Sequence, residues 1–124
     1  MIPFNKPYLT GKETQYIQEA VQSGKISGNG KFTQLCHKLF CEKFGFQKVL
    51  LTTSCTDALE MAAILIDTKP GDEIIVPSYT FVSTANAFVL RGAKIIFADS
   101  GSDNPNINIT NIESLITKKT KAIV

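Results

Sequence analysis

Apolar side chains recur along this chain with two alternating periods, and the switches between them mark out the elements. Tyr16, Ile17, Ala20 and Val21 fall on one stripe of a helix. Thr10-x-x-Glu13 ahead of them has the spacing of a capping box, and Gly24 ends the helix. Ser27-Gly28-Asn29-Gly30 is too glycine-rich for regular structure. A second stripe, Phe32, Leu35, Cys36, Leu39 and Phe40, predicts a helix from Lys31 to Phe44 with Gly45 as its stop. Lys48–Thr52 then reads as a short apolar strand and Thr56–Ile66 as a third helix, followed by a turn at Pro70-Gly71-Asp72. In Glu73–Val76 the residues Ile74, Ile75 and Val76 run without alternation, as suits a strand buried on both faces of a parallel sheet. Pro77 ends that strand. A helix over Val82–Leu90 is closed by Arg91-Gly92, and Lys94–Ala98 is another strand. Asp99–Asn108 is polar and turn-rich. Thr110-x-x-Glu113, a second capping box, opens a helix to Ile116, and Lys121–Val124 begins one more apolar run.

Alternating β and α elements predict an α/β fold, a mostly parallel sheet flanked by helices. An apolar strand left open at a terminus calls for more chain to pair with it. The expectation is therefore that these residues are the N-terminal part of a longer protein.

Composition narrows the classes. The 124 residues are 44% hydrophobic and carry a net charge of +2, an ordinary globular balance. Lys118, Lys119 and Lys121 cluster, but no basic face is interleaved with aromatics, which argues against nucleic-acid binding. No apolar run approaches the roughly 20 residues of a membrane span, and Met1–Lys6 lacks the apolar core of an export signal. A cytoplasmic location is expected. Cys36, Cys41 and Cys55 form no C-x-x-C, and the sole histidine, His37, adjoins Cys36 on a helix where neighbours point apart, so no metal site is expected. Cys36 reads as core and His37 as helix surface. Asp99-Ser100-Gly101-Ser102-Asp103 lacks the glutamate that closes an EF-hand and reads as a turn.

The candidate chemistry lies at strand-to-helix junctions. Thr53-Ser54-Cys55-Thr56-Asp57-Ala58-Leu59 follows the apolar Val49-Leu50-Leu51 and opens a helix. The first N–H groups of a helix lack partners and its dipole favours a negative guest, so the junction suits a phosphate. The same hydroxyl residues also suit a plain helix cap. In a parallel sheet, ligands sit outside the carboxyl ends of the strands. That rule brings Pro77-Ser78-Tyr79-Thr80-Phe81 and Asp99 to the same edge as Ser54–Thr56. No G-x-G-x-x-G follows any predicted strand, which speaks against dinucleotide binding.

Ile2-Pro3-Phe4-Asn5, Ser27–Gly30, Leu51–Met61, Pro70-Gly71-Asp72-Glu73 and Pro77–Asp99, the last including Phe81-Val82-Ser83-Thr84-Ala85-Asn86-Ala87, stand in an order that resembles the DegT/DnrJ/EryC1/StrS family of sugar aminotransferases. Within it, Ser54-Cys55-Thr56 and Thr80–Ala93 are similar to the branch that makes dTDP-4-amino-4,6-dideoxygalactose for enterobacterial common antigen. The resemblance implies the N-terminal portion of the large domain of a fold-type I, aspartate-aminotransferase-like enzyme. Residues 1–30 would form an N-terminal helix and glycine-rich loop, and residues 31–124 the α/β units. It implies pyridoxal 5'-phosphate as cofactor, its phosphate held by Ser54, Cys55 and Thr56 and its ring stacked on Phe81. It implies that Gly28, Asn29 and Gly30 approach a nucleotide sugar. The implied substrates are dTDP-4-keto-6-deoxyglucose and L-glutamate, used in cell-surface polysaccharide synthesis by a homodimer. The family's Schiff-base lysine and the aspartate facing the pyridine nitrogen have no counterpart here. Lys48, Lys69 and Lys94 stand outside the family's lysine context, so no catalytic residue is assigned and these residues alone should not transaminate. The family often carries Asp-x-Asp where Asp99 is followed by Ser100-Gly101, and Asn108 stands where aspartate is common, so Asp99 reads as structural. The other reading is a small non-catalytic α/β module that binds a phosphate ligand.

Overall fold

The computed structural model describes residues 2–124, which form two compact units, 2–51 and 52–124. The first unit is helical. Its helices are α1, Glu13–Gln22, and α2, Lys31–Phe44. Tyr16 of α1 meets Phe32 of α2 edge-on at 5.3 Å, and Glu19 pairs with Lys31 at 3.2 Å, so one apolar and one ionic contact tie the two helices. Gly45, at φ +71°, closes α2 in the left-handed conformation, as its position predicts.

The capping box of α1 forms only in part. The Glu13 carboxylate accepts from the backbone N–H of Thr10 at 2.6 Å and of Gly11 at 2.9 Å. The Thr10 hydroxyl, however, donates to Glu13 instead of accepting from its N–H, and Lys12 takes the N-cap position. Gly11, at φ +83°, turns the chain too early for Thr10 to reach the helix.

The strand expected at Lys48–Thr52 does not form: the segment has no regular secondary structure. A strand exists only through its ladder, and among the described residues no ladder pairs with this run.

The second unit carries the α/β fold. Helix α3 spans Cys55–Leu65, β1 Glu73–Pro77, α4 Val82–Val89, β2 Lys94–Ala98, α5 Ile109–Leu115 and β3 Thr120–Ile123. The sheet is parallel with order β2-β1-β3, as the alternation predicts. Glu73 faces Lys94 and Pro77 faces Ala98 in register; toward β3, Glu73 faces Thr120 and, past an irregularity, Ile74 faces Ala122. The central strand is the unalternating one: Ile74, Ile75 and Val76 are fully buried. Ala63 of α3 and Ala87 and Phe88 of α4 close on Ile74 and Val76, with Leu59, Ile66, Ile95 and Ala122 at the margin. Small residues at 63 and 87 let the two helices come close to the sheet. At about 25 cal/mol per Å² of apolar surface buried, this cluster is the main stabilising term of the unit.

The second capping box is also corrected. Helix α5 starts at Ile109, and its cap is Asn108, whose side-chain oxygen accepts from the N–H and the hydroxyl of Thr110 at 3.1 and 2.7 Å. Asparagine outranks threonine as a cap, and it stands two residues earlier.

Candidate functional site

Helices α3 and α4 pack side by side and run the same way. Their C-terminal ends meet where Gly92 lies against Pro70: a Cβ at Gly92 would stand 2.7 Å from Pro70 Cγ. Each leads by a short turn into the start of the next strand, so both N-termini face the carboxyl edge of the sheet, where parallel α/β folds hold ligands. The Ser54–Thr56 junction and Phe81 therefore share one edge.

At the start of α3, Ser54 is the N-cap, and its hydroxyl accepts from Asp57 N–H at 3.1 Å. The capping role that the residues allowed is thus real, and it uses Ser54 alone. The backbone N–H groups of Cys55 and Thr56 have no acceptor among the described residues. These two N–H donors, the Thr56 hydroxyl and the positive end of the α3 dipole stand together at the helix start, where Cys55 is exposed and Thr56 half-buried. The Asp57 carboxylate in this stretch accepts from the Thr53 hydroxyl. That hydroxyl first, and then the hydroxyl of Ser54, hold the Asp57 carboxyl below its ordinary value of 3.8. Thr52 adds a further tie, donating to Ser54 O at 2.8 Å. Thr53 and Asp57 belong to the stretch that the sequence marks out, and the spacing Ser54-x-x-Asp57 is the signal for the cap.

Phe81 occupies the N-cap position of α4 with extended backbone, φ −73° and ψ 143°, and its ring is 73% exposed. Among the described residues it is not part of the core. The Thr80 and Thr84 hydroxyls lie 2.9 Å apart and brace the turn that carries it. Asp99 sits beyond the end of β2, where it accepts from the Ser78 hydroxyl at 3.3 Å while its carbonyl accepts from Asn108 N–H at 2.8 Å. It stitches two loops, in line with its structural reading.

The remaining candidates lie in the first unit. Asn29, at φ +62°, makes the left-handed turn of the Ser27–Gly30 loop, and its side chain accepts from Gln34. Gly28 faces open space, and Gly30 is the N-cap of α2. Gly30 also borders a cavity of about 260 Å³ walled by Ile17, Val21, Ile26 and Phe32. Gly28 and Asn29 do not line it. The conformational demand in this loop falls on Asn29, which takes the φ that glycine would have been expected to supply.

Lys69 and Lys94 stand at the opposite edge of the sheet from the α3 N-terminus. Lys69 pairs with Asp67 and is raised above its ordinary value by that carboxylate, and Lys94 pairs with Glu73. His37, expected on the helix surface, is instead half-buried, and its Nε2 accepts from Leu51 N–H at 3.1 Å. That contact comes from the segment after the helix, which a single-helix reading cannot see. Cys36 is half-buried, and no cluster of three metal-ligating side chains occurs among the described residues. Among those residues, no helix is long and apolar enough to cross a membrane.

Comparison with known proteins adds an independent line. Residues 7–124 match the DegT/DnrJ/EryC1/StrS aminotransferase family. The chain is 37% identical over 123 residues to GDP-perosamine synthase of Escherichia coli O157:H7, an overlap of 99% of this chain and 34% of that protein. Its fold superposes on the aminotransferase TlmJ from Streptoalloteichus hindustanus with a TM-score of 0.89 at 31% identity, over 99% of this chain and 34% of that one. Spr1654 from Streptococcus pneumoniae, solved in PLP-form and PMP-form, superposes with a TM-score of 0.88 at 30% identity, over 98% of this chain and 31% of that one. The chain spans about a third of the length of the curated relatives it matches.

Proposed function

Because the chain belongs to the DegT/DnrJ/EryC1/StrS aminotransferase family, we propose that it forms part of the cofactor-binding domain of a pyridoxal-phosphate-dependent nucleotide-sugar aminotransferase. The observation that carries the reading is the pair of unpartnered N–H groups at Cys55 and Thr56, which stand on the same sheet edge as the exposed ring of Phe81. A donor-rich helix terminus fits a phosphate monoester, and an exposed aromatic fits a flat heterocycle.

In this reading Cys55 and Thr56 donate backbone N–H groups to the phosphate, and the hydroxyls of Ser54 and Thr56 add further donors. Phe81 orients the ring and keeps water from one of its faces. When bound, the cofactor supplies an electron sink for moving an amino group between an amino acid and a keto sugar. The residues that would move protons in that chemistry are not assigned to this chain: Lys69 and Lys94 are held by carboxylates at the far edge.

The sugar nucleotide is the finer question. The motif resemblance pointed to dTDP-4-keto-6-deoxyglucose with L-glutamate as donor. The named relatives are GDP-perosamine synthases from several bacteria, which favours a GDP-linked keto sugar over a dTDP-linked one. Gly28, Asn29 and Gly30 are the candidates for approaching it. A cytoplasmic homodimer is the expected setting, since nucleotide sugars are cytoplasmic metabolites and such sites form between subunits.

Two measurements test this. Titration of the intact protein with pyridoxal phosphate should give saturable changes in cofactor absorbance, weakened by Phe81→Ala; absence of binding would sink the reading. Offering GDP-linked and dTDP-linked 4-keto-6-deoxysugars with L-glutamate, with product mass as readout, decides the nucleotide. Amination of the dTDP sugar alone would restore the earlier expectation.

A further inference from the structure

We propose that Thr84 is the positioning residue for Phe81: it fixes the backbone on both sides of that residue and so the direction in which the ring points. The proposal rests on the reading of Phe81 as the platform for the cofactor ring. Phe81 stands at an unusual place. It is the N-cap of α4, with φ −73° and ψ 143°, a position where serine, threonine, asparagine and aspartate are preferred over apolar residues. Its side chain has no oxygen to accept from the first N–H groups of the helix, so it does not hold the junction it occupies. Sequences depart from such local preferences mainly at functional sites, and compensate nearby.

The compensation lies on Thr84. Its backbone N–H donates to the Phe81 carbonyl at 3.0 Å, which fixes the peptide after Phe81. Its hydroxyl meets the Thr80 hydroxyl at 2.9 Å, which ties down the residue before Phe81. Both ties end on one half-buried residue in the first turn of α4. The other end of the same loop is held independently. Ser78 N–H donates to the Ala98 carbonyl at 2.8 Å, and the Ser78 hydroxyl donates to Asp99 at 3.3 Å. The loop 78–81 between β1 and α4 is thus fastened at its start to the end of β2 and at its close to α4. The direction of the Phe81 ring follows from its backbone frame and its χ1 rotamer. Releasing residue 80 lets that frame rock, and a ring that rocks stacks less well on a flat partner.

Two readouts on the intact protein test this: the backbone ¹⁵N order parameter of Phe81 without ligand, and pyridoxamine phosphate binding by fluorescence titration. Thr84→Val keeps the shape of the side chain and removes its hydroxyl. It should lower the order parameter at Phe81 while that of Ala87, further along α4, stays high. It should also weaken binding roughly fivefold, the weight of one ordinary hydrogen bond. Thr84→Ser puts the hydroxyl back and should restore both. In the Phe81→Ala background, Thr84→Val should weaken binding no further, because the ring it positions is gone. An unchanged order parameter at Phe81 in Thr84→Val would overturn the proposal. So would an equal loss of binding with and without the Phe81 ring, which would make Thr84 a structural residue of α4 only. If the wild type binds no pyridoxamine phosphate, the cofactor reading falls, and the order parameter still decides whether Thr84 fixes Phe81.

Discussion

Ser54 is the cap of α3: its hydroxyl accepts from Asp57 N–H, and in the proposed reading the same group turns its proton toward the phosphate. Ser54→Ala should lower stability by about 1 kcal/mol, the usual cost of a lost cap, and also weaken phosphate binding; urea unfolding and phosphate titration read the two effects. Asp57 adds a pH signature. Its folded value lies below 3.8 because of the Thr53 and Ser54 hydroxyls, so its contribution is complete above that value and disappears as the pH falls through the lower, folded one. The stability difference between wild type and Asp57→Asn should be constant above about pH 5 and shrink under stronger acid; acid-unfolding curves of the two proteins check this. Thr68 is a different case. It is 1% exposed, and its hydroxyl has no partner among the described residues. Thr68→Val keeps the shape and removes an unpaired buried polar group, so it should raise stability by about 1 kcal/mol in urea unfolding. None of this was visible from sequence, where Thr68 is one polar residue in a turn.

At the level of elements, Glu73 and Gly92 organise the edge opposite the site. Glu73 is buried at the start of β1, where its carboxylate accepts from the Thr117 hydroxyl at 2.7 Å and faces Lys94 at 3.7 Å. It joins β1 to β2 and to the turn before β3. Lys94 is largely exposed, so its ion pair is worth little. Glu73→Ala should cost about 1–2 kcal/mol, chiefly through the lost buried hydrogen bond, and Lys94→Ala less than about 0.5 kcal/mol, both by urea unfolding. Gly92 combines φ +86° with the close approach to Pro70. An alanine there meets both a strained backbone and a clash, and should cost at least about 1–3 kcal/mol. Its effect should appear as reduced α4 helicity and a lower melting temperature in circular dichroism. The Arg91-Gly92 stop was legible in the sequence because glycine after an apolar helix has one common use. That it also sets the parallel packing of α3 and α4 was not, because Pro70 is remote in sequence.

For the molecule as a whole, the expected behaviour of these 124 residues by themselves is binding without turnover. In the proposed reading they contain phosphate donors and Phe81, but Lys69 and Lys94 are paired with carboxylates at the opposite edge. Pyridoxamine phosphate, which forms no adduct with surface lysines, should bind weakly in a fluorescence titration, and no amination of a keto sugar should be detected. Periodicity alone determined the α/β class, the central buried strand and five of the helical stretches, since those follow from local propensity and from which face must leave water. Motif order determined the family, since it reflects shared ancestry and needs no geometry. Only the tertiary structure decided that Lys48–Thr52 has no strand partner among the described residues, that Asn108 displaces Thr110 as a cap, and that His37 accepts from Leu51 N–H. It alone also left Phe81 exposed beside unpaired N–H groups. These outcomes depend on which residues from distant parts of the chain arrive beside them, and a pattern read along one dimension does not contain that.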